Sequence, residues 1–240
     1  MRVFIVHAHH EPTSFNGAMT REATAALTAA GHEVIVSDLY AMGFNPVSDR
    51  RNFITVKDPN RLRQQVEEVH ASEHHGYVPE LQGEMDKLAW CDTLILQFPM
   101  WWFGMPAILK GWFDRVFAVG RAYGGGRWFD RGVFVGKRAM CSMTLGGWAA
   151  AFSEHGINGP VSAILFPIHH GILAFTGFAV VEPFVVFGPA RISQEERRAE
   201  LVRYRERVLG LASAPAIATP NTRDYDERLV LKSAPRLVAQ

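Results

Sequence analysis

The sequence predicts a doubly wound α/β domain: a five-stranded parallel sheet in the order 2-1-3-4-5, with helices on both faces. Three observations predict it. The first is a strand–helix–strand unit at the start of the chain. Residues 2–9 are an apolar strand, a helical pattern runs from near Gly17 through Met19, Ala23 and Leu27 to Gly31, and residues 33–39 form a second strand. The second is the return of short apolar runs of strand length at 93–96, 138–144 and 178–182, separated by helical stretches. The third is size: 240 residues, 48% hydrophobic and 20% charged, suit one domain with a sizeable core.

Taken in order, the first loop, residues 10–16, joins a strand end to a helix amino terminus. Free N–H groups there, with the side chains of Thr13, Ser14 and Asn16, make an anion site suited to phosphate or pyrophosphate. Simple helix capping by Ser14 or Asn16 is the alternative. Neither GxGxxG nor GxxxxGK[ST] is present. From 45 to 80 the periodicity fades, with a short polar helix expected at 61–70; such a stretch is often functional or an interface arm. Residues 79–90 read as a helix with proline near its start, leading into the central strand at 93–96.

Residues 97–115, QFPMWWFGMPAILKGWFDR, organise the rest. Pro99 ends the strand, Met100, Trp101, Trp102 and Phe103 lie on a loop, Gly104 allows a tight turn, and Met105-Pro106 open a helix over 108–117. Three adjacent aromatics on a strand-end loop call for a flat partner in the crevice outside the strands. A glycine-rich loop with aromatics follows at 123–129, then the fourth strand, ending in Leu145-Gly146-Gly147, whose bare backbone either lets a ligand plane lie close or forms a plain flexible turn. Residues 164–175 look helical but broken by Pro167. The fifth strand, 178–182, continues into 184–187, and 193–211 is a charged helix with Ser193 and Glu196 as a capping box. Two units result: a ligand-binding domain over 1–211 and an extended tail over 212–240, loosely held or wrapping a partner subunit.

The composition excludes several classes. With 25 Lys+Arg against 24 Asp+Glu the net charge is +1, which gives no support to nucleic-acid or anionic-membrane binding. No apolar run approaches the roughly 20 residues that span a bilayer. Cys91 and Cys141 stand far apart with no metal-ligand spacing, and the paired histidines join no carboxylate or cysteine set, so a cytoplasmic protein with free thiols and no metal is expected.

The predicted order gathers the carboxyl ends of strands one, three and four, and with them Thr13–Asn16, Pro99–Phe103 and Thr144–Gly147. An anion cradle, an aromatic wall and a glycine backbone patch then converge on a phosphate-bearing planar molecule, for which a flavin is the best candidate. Its ring would rest on Trp102 and Phe103, with backbone N–H groups near Trp102, Phe103 and Gly147 at its polar edge.

At this point the chain resembles a known family. AHxExTSFN at 8–16, SDLYAMxFNP at 37–46, QFPxxWFGxPAILKGWFxRVF at 97–117, TxGG at 144–147, GIxG at 156–159 and GILxFxGFxVxEP at 171–183 are similar to the NAD(P)H:quinone oxidoreductases of the DT-diaphorase type. The resemblance covers about residues 1–211 with few gaps. It implies a flavodoxin-like fold, FAD rather than FMN, a homodimer, and two-electron hydride transfer from NAD(P)H through the flavin to a quinone in ping-pong fashion. Matching positions imply that His9, Thr13, Ser14, Phe15 and Asn16 hold the phosphates and ribityl chain. Pro99, Met100, Trp101, Trp102, Phe103, Thr144, Leu145, Gly146 and Gly147 would hold the ring, and Arg197 the adenine end. Tyr123 and Phe175 match positions that close the pocket from the partner subunit, with Trp128 on its wall.

Two departures stand out. The family's relay tyrosine and histidine fall on Phe152 and Asn158, beside Gly147 in the expected catalytic set. Phenylalanine donates no hydrogen bond, and asparagine does not titrate near neutral pH. His155 lies nearby as an alternative, though a surface role is the simpler expectation. The second pocket tyrosine falls on Gly125 and a family methionine on Trp128, so the outer wall is reshaped. A flavin-binding regulatory subunit of an ion-efflux system, or an azo- or nitro-compound reductase on the same cofactor, are the alternatives.

Overall fold

The computed structural model describes residues 1–232. Six parallel strands, β1 (Arg2–His7), β2 (Glu33–Asp38), β3 (Thr93–Pro99), β4 (Arg138–Leu145), β5 (Ala179–Val180) and β6 (Phe184–Phe187), alternate with six helices, α1 (Phe15–Ala29), α2 (Gln64–His74), α3 (Pro79–Trp90), α4 (Ala107–Val116), α5 (Val161–Ile168) and α6 (Gln194–Leu209). The sheet order is β2-β1-β3-β4-β5, as expected from the sequence, with β6 also on β4. β5 pairs with Arg138 and Ala139, and β6 with Ser142 through Leu145, so they share one edge lane interrupted near Pro183, which has no N–H to give.

Pleating sends alternate residues to opposite faces. Val3, Ile5, Ile95 and Met140 pack with Met19, Ala23 and Leu27 of α1 and with Tyr204 and Val208 of α6. Phe4, Val6, Leu94 and Leu96 pack on the other side with Leu81 and Leu88 of α3 and Leu109 and Trp112 of α4. Both faces are therefore covered, which is why these strands read as continuous apolar runs. The register pairs His7 with Gln97 and Pro99 with Thr144, so the carboxyl ends of β1, β3 and β4 lie along one edge of the sheet, with β3 two residues longer than β1.

Four local expectations are corrected. The turn after β3 does not rest on Gly104: the left-handed residues are Trp102 and Phe103, at φ +51° and +57°. The polar helix of the 45–80 excursion is α2, shifted to Gln64–His74 and closed by a left-handed His75. Pro167 does not break its helix; α5 runs to Ile168 and winds on as a π turn over His169–Ala174, so the lost N–H changes the pitch instead of ending the helix. Through residue 232 the tail is not loosely held. Ala214 is buried, Ile217 N–H donates to the Val180 carbonyl (2.7 Å), and Thr222 N–H donates to Asp130 Oδ1 (2.8 Å). The end of the expected tail, 233–240, lies outside the described residues.

Candidate active site at the carboxyl edge of the sheet

The loop after β1 is built by its own side chains. Gly17 lets the Pro12 carbonyl approach α1 so closely that a Cβ there would sit 2.3 Å from the oxygen. Ser14 caps α1, accepting from Gly17 N–H (3.1 Å). The Glu11 carboxylate accepts from Thr13 N–H (2.8 Å) and the Thr13 hydroxyl (2.6 Å), which holds it below the usual carboxylate range. The N–H groups of Phe15 and Asn16 have no acceptor among the described residues, so the first turn keeps donors for an anion. His9 Nδ1 accepts from Glu11 N–H (3.0 Å), and loss of hydration, then the neighbouring His10, lowers its pKa.

The loop after β3 is a two-residue hairpin. Trp101 and Gly104 exchange N–H···O bonds, both 3.0 Å, around Trp102 and Phe103. Two left-handed central residues are the type I′ pattern, which glycine and asparagine normally occupy. Two bulky aromatics there carry strain of about 1–3 kcal/mol each. The strain presents the rings outward: Trp102 is 99% exposed and Phe103 54%. Trp101 leans on the first loop, its ring 6.2 Å from His9 and 5.7 Å from His10, and so joins the hairpin to it while staying partly exposed.

The third loop follows β4. Met100 N–H donates to the Thr144 carbonyl (2.9 Å), and the N–H groups of Trp102, Phe103 and Gly147 meet no protein acceptor among the described residues. A Cβ on Gly146 would meet nothing within 4 Å; on Gly147 it would lie 2.8 Å from the Phe152 ring. The open face expected of both glycines therefore belongs to Gly146 alone. Phe152, half-buried, fills the space at Gly147 and lies 6.0 Å from Phe187. Asn158 closes the same loop through its N–H to the Ala151 carbonyl (2.9 Å), and His155 is exposed.

A buried chain of side chains locks the three loops together. Gln97 Nε2 donates to Asn16 Oδ1, Asn16 Nδ2 donates to Thr144 Oγ1, both at 2.9 Å, and the Tyr204 hydroxyl donates to Gln97 Oε1 (3.2 Å). Asn16 is only 3% exposed, so its side chain ties β1, β3 and β4 together and leaves its backbone N–H for a ligand. Gln97, Tyr204 and Glu11 were not singled out by sequence reasoning, although a glutamine inside an otherwise apolar strand is a visible signal. Nor was the Arg191 guanidinium, 5.8 Å over the Trp148 ring beside Gly147.

The remaining expected residues stand elsewhere. Arg197, in the first turn of α6, is half-buried, and its Nε is buried without a hydrogen-bond partner. Tyr123, Trp128 and Phe175 form their own cluster, with centroids 6.0 Å apart for Tyr123–Phe175 and 6.4 Å for Trp128–Phe175. Trp128 and Phe175 line a cleft of about 310 Å³ with Tyr225 and Leu229 of the tail, and no residue of the three strand-end loops borders it. Among the described residues no group of three or more His, Cys, Asp or Glu can hold a metal, and no helix is long and apolar enough to cross a membrane.

Fold and loops together define an α/β protein of the flavodoxin-like class whose strand-end loops carry unpaired N–H donors and exposed aromatic rings. The family model described as a flavodoxin-like fold matches residues 1–208. NAD(P)H dehydrogenase [quinone] 1 of Rattus norvegicus is 43% identical, covering 86% of this chain and 76% of its own. Ribosyldihydronicotinamide dehydrogenase [quinone] of Homo sapiens is 38% identical, covering 86% and 90%. A crystal structure from Klebsiella pneumoniae, of a protein assigned but not demonstrated to be a quinone reductase, superposes with a TM-score of 0.93 at 40% identity over 97% of this chain and 94% of the other. The chain belongs to the NAD(P)H:quinone oxidoreductase family.

Proposed function

We propose that the protein is a cytoplasmic, FAD-dependent NAD(P)H:quinone oxidoreductase, acting as a homodimer and transferring two electrons in ping-pong fashion. The observation that carries the reading is the convergence of unpaired N–H donors, an outward aromatic hairpin and an open glycine backbone on three loops that one buried network binds together.

These residues fit a flavin. The N–H groups of Phe15 and Asn16, with Thr13 and Ser14, would hold its phosphates, and the unpartnered Arg197 Nε is a donor for its adenine end, which favours FAD over FMN. Trp102 and Phe103 would give the ring a flat apolar bed, Pro99 and Thr144 through Gly146 its other border. When bound, the flavin would accept hydride equivalents from NAD(P)H and pass them to a quinone. The chain's part is to orient these groups, exclude water with its aromatic hairpin, and direct N–H donors from Trp102, Phe103 and Gly147 at developing negative charge. Phe152 shapes the floor and moves no proton; the Asn158 amide can donate without titrating.

The homodimer is supported by Tyr123, Trp128 and Phe175, which cluster apart from the strand-end loops and can close a crevice of a second copy. Exposed Ile54, Val56, Leu62, Val66 and Val69 on the excursion supply apolar surface for such an assembly. The catalytic unit covers residues 1–211, its core extended by Ala214 of the tail. The cytoplasm is supported by two buried free cysteines, burial pushing the Cys91 thiol up to about 11.

Phe152, which lacks the hydroxyl of the family relay, favours one second reading, a flavin-binding regulatory subunit. Purified protein should be yellow, release FAD on denaturation and bleach anaerobically with NADH or NADPH, and a quinone should restore the colour over many turnovers. Protein that takes up no flavin overturns the cofactor assignment. Protein that bleaches but turns over no quinone, azo or nitro acceptor is the regulatory subunit.

A further inference from the structure

A second cleft, also of about 310 Å³, lies at the opposite, amino-terminal edge of the sheet, between the last turns of α3, the loop after α4 and the segment leading into β4. Strands β3 and β4 run between the two edges, so roughly 20 Å separates this cleft from the strand-end crevice. Its floor is apolar, with Leu88, Val116 and Phe134. Its rim is cationic: Arg121, Arg127 and Lys137 border it, with Asp86 as a single carboxylate whose Oδ1 accepts from Gln82 Nε2 (2.7 Å). None of the three cations is in an ion pair among the described residues.

Arg121 is held in place from two sides. Its Nη2 donates to Gln82 Oε1 (2.7 Å), and its guanidinium lies 5.9 Å over the Tyr77 ring. Its Nε is nevertheless buried without a partner, the kind of unmade bond that folded proteins rarely leave. Lys137 Nζ donates to the carbonyls of Ala89 and Cys91 at the end of α3, which uses two of its three protons, and loss of hydration lowers its pKa. Two fixed, partly dehydrated cations above an apolar floor are complementary to one kind of molecule.

We propose that this cleft is a binding site for a small amphipathic anion, a bicyclic aromatic or short aliphatic body bearing one carboxylate or sulfonate. The body covers Leu88, Val116 and Phe134, and the anion accepts from the outer N–H groups of the Arg121 guanidinium and from Lys137 Nζ. The volume is near the lower limit of about 300 Å³ for small-molecule pockets, which admits such an acid and excludes a dinucleotide. The site is separate from the proposed redox crevice.

Titration calorimetry of the full-length protein with 2-naphthoate, with and without FAD, tests this, with 2-naphthalenemethanol as the uncharged analogue. One naphthoate per chain is expected, at the same affinity in both states. Arg121→Gln should weaken it by about tenfold or more, because a charge-assisted bond is lost. Arg127→Gln, on an exposed side chain that does not disturb folding, should weaken it by about threefold through screened attraction alone. Val133→Trp, which fills the cleft, should abolish it, and all three variants should keep the parent's rate of quinone reduction. Absence of binding, equal affinity of the uncharged analogue, unchanged affinity in Arg121→Gln, or displacement of naphthoate by quinone each overturns the proposal.

Discussion

Trp102 is the residue at which cost and use are most clearly opposed. It buries nothing, being 99% exposed, and sits at φ +51°, where a residue with a Cβ is strained. Removing it should therefore not harm the fold. Trp102→Gly relieves the left-handed strain and should leave the flavin-free protein as stable or up to about 1–2 kcal/mol more stable. The same change strips the aromatic bed, and flavin affinity should fall at least about tenfold, given ~0.5–1.5 kcal/mol for aromatic stacking plus the lost buried area. Denaturant unfolding without flavin and fluorescence titration with FAD measure the two effects; a loss of both together would show that the ring supports the fold instead. The importance of this residue was legible from three aromatics in a row, but its backbone was not. Gly104 is the conventional turn residue, and nothing local announces that Trp102 and Phe103 take the left-handed positions. Gln97 and Asn16 show the reverse limit. Their residue types were plain, yet that each satisfies the other in the interior follows only from strand register.

At the scale of elements, those with a dominant period were legible and those held by polar anchors were not. The strands and α1, α3, α4 and α6 fall close to where apolar spacing and caps place them, down to the Ser193–Glu196 capping box. The 45–80 excursion has no such period because buried polar groups hold it. Arg115, 3% exposed, donates to Asn52 Oδ1 (2.8 Å), to the Asn45 carbonyl (2.6 Å) and to Glu80 (3.2 Å). Glu67 accepts from the N–H groups of Lys57 (2.7 Å) and Asp58 (2.9 Å), and Glu68 from Val119 N–H (2.8 Å). Partners so distant in sequence leave no local pattern. The π turn after α5 carries a consequence of its own. His169 has a buried Nε2 without a partner, and burial pushes its pKa from 6.5 down to about 4. The folded state thus binds the proton more weakly than the unfolded chain. Its contribution is complete above pH 6.5 and is lost as pH falls toward 4, by up to about 3 kcal/mol. Unfolding free energy measured across that window should fall less steeply in His169→Phe than in the parent; parallel curves would place the titrating group elsewhere.

For the whole molecule, the question is how loops from distant parts of the sequence keep one arrangement. The register brings the ends of β1, β3 and β4 to one edge of the sheet, but a shared edge alone does not fix the loops. The Asn16–Gln97–Thr144 chain does, and Tyr204 extends it across the sheet face to α6, the helix that carries Arg197. Gln97 is fully buried and beneath the loops, so in the proposed enzyme it is a positioning residue. Gln97→Leu keeps the volume and removes both partners' bonds, leaving the Asn16 carbonyl oxygen and the Tyr204 hydroxyl unsatisfied. Each orphaned group costs about 1–3 kcal/mol, so unfolding free energy should drop by a few kcal/mol. A purely structural residue would stop there. Here FAD affinity should also fall, because the first-loop N–H donors lose their tie to β3, whereas the quinone KM, which in the proposed enzyme depends on the Tyr123, Trp128 and Phe175 wall, should change little. Tyr204→Phe separates the two roles. It removes the link to α6 but spares Asn16, so it should lower stability by about 1 kcal/mol while leaving FAD affinity near that of the parent. If Tyr204→Phe weakens FAD as much as Gln97→Leu does, coupling runs through α6 and Arg197 and not through the first loop; double-mutant analysis of the pair distinguishes the routes.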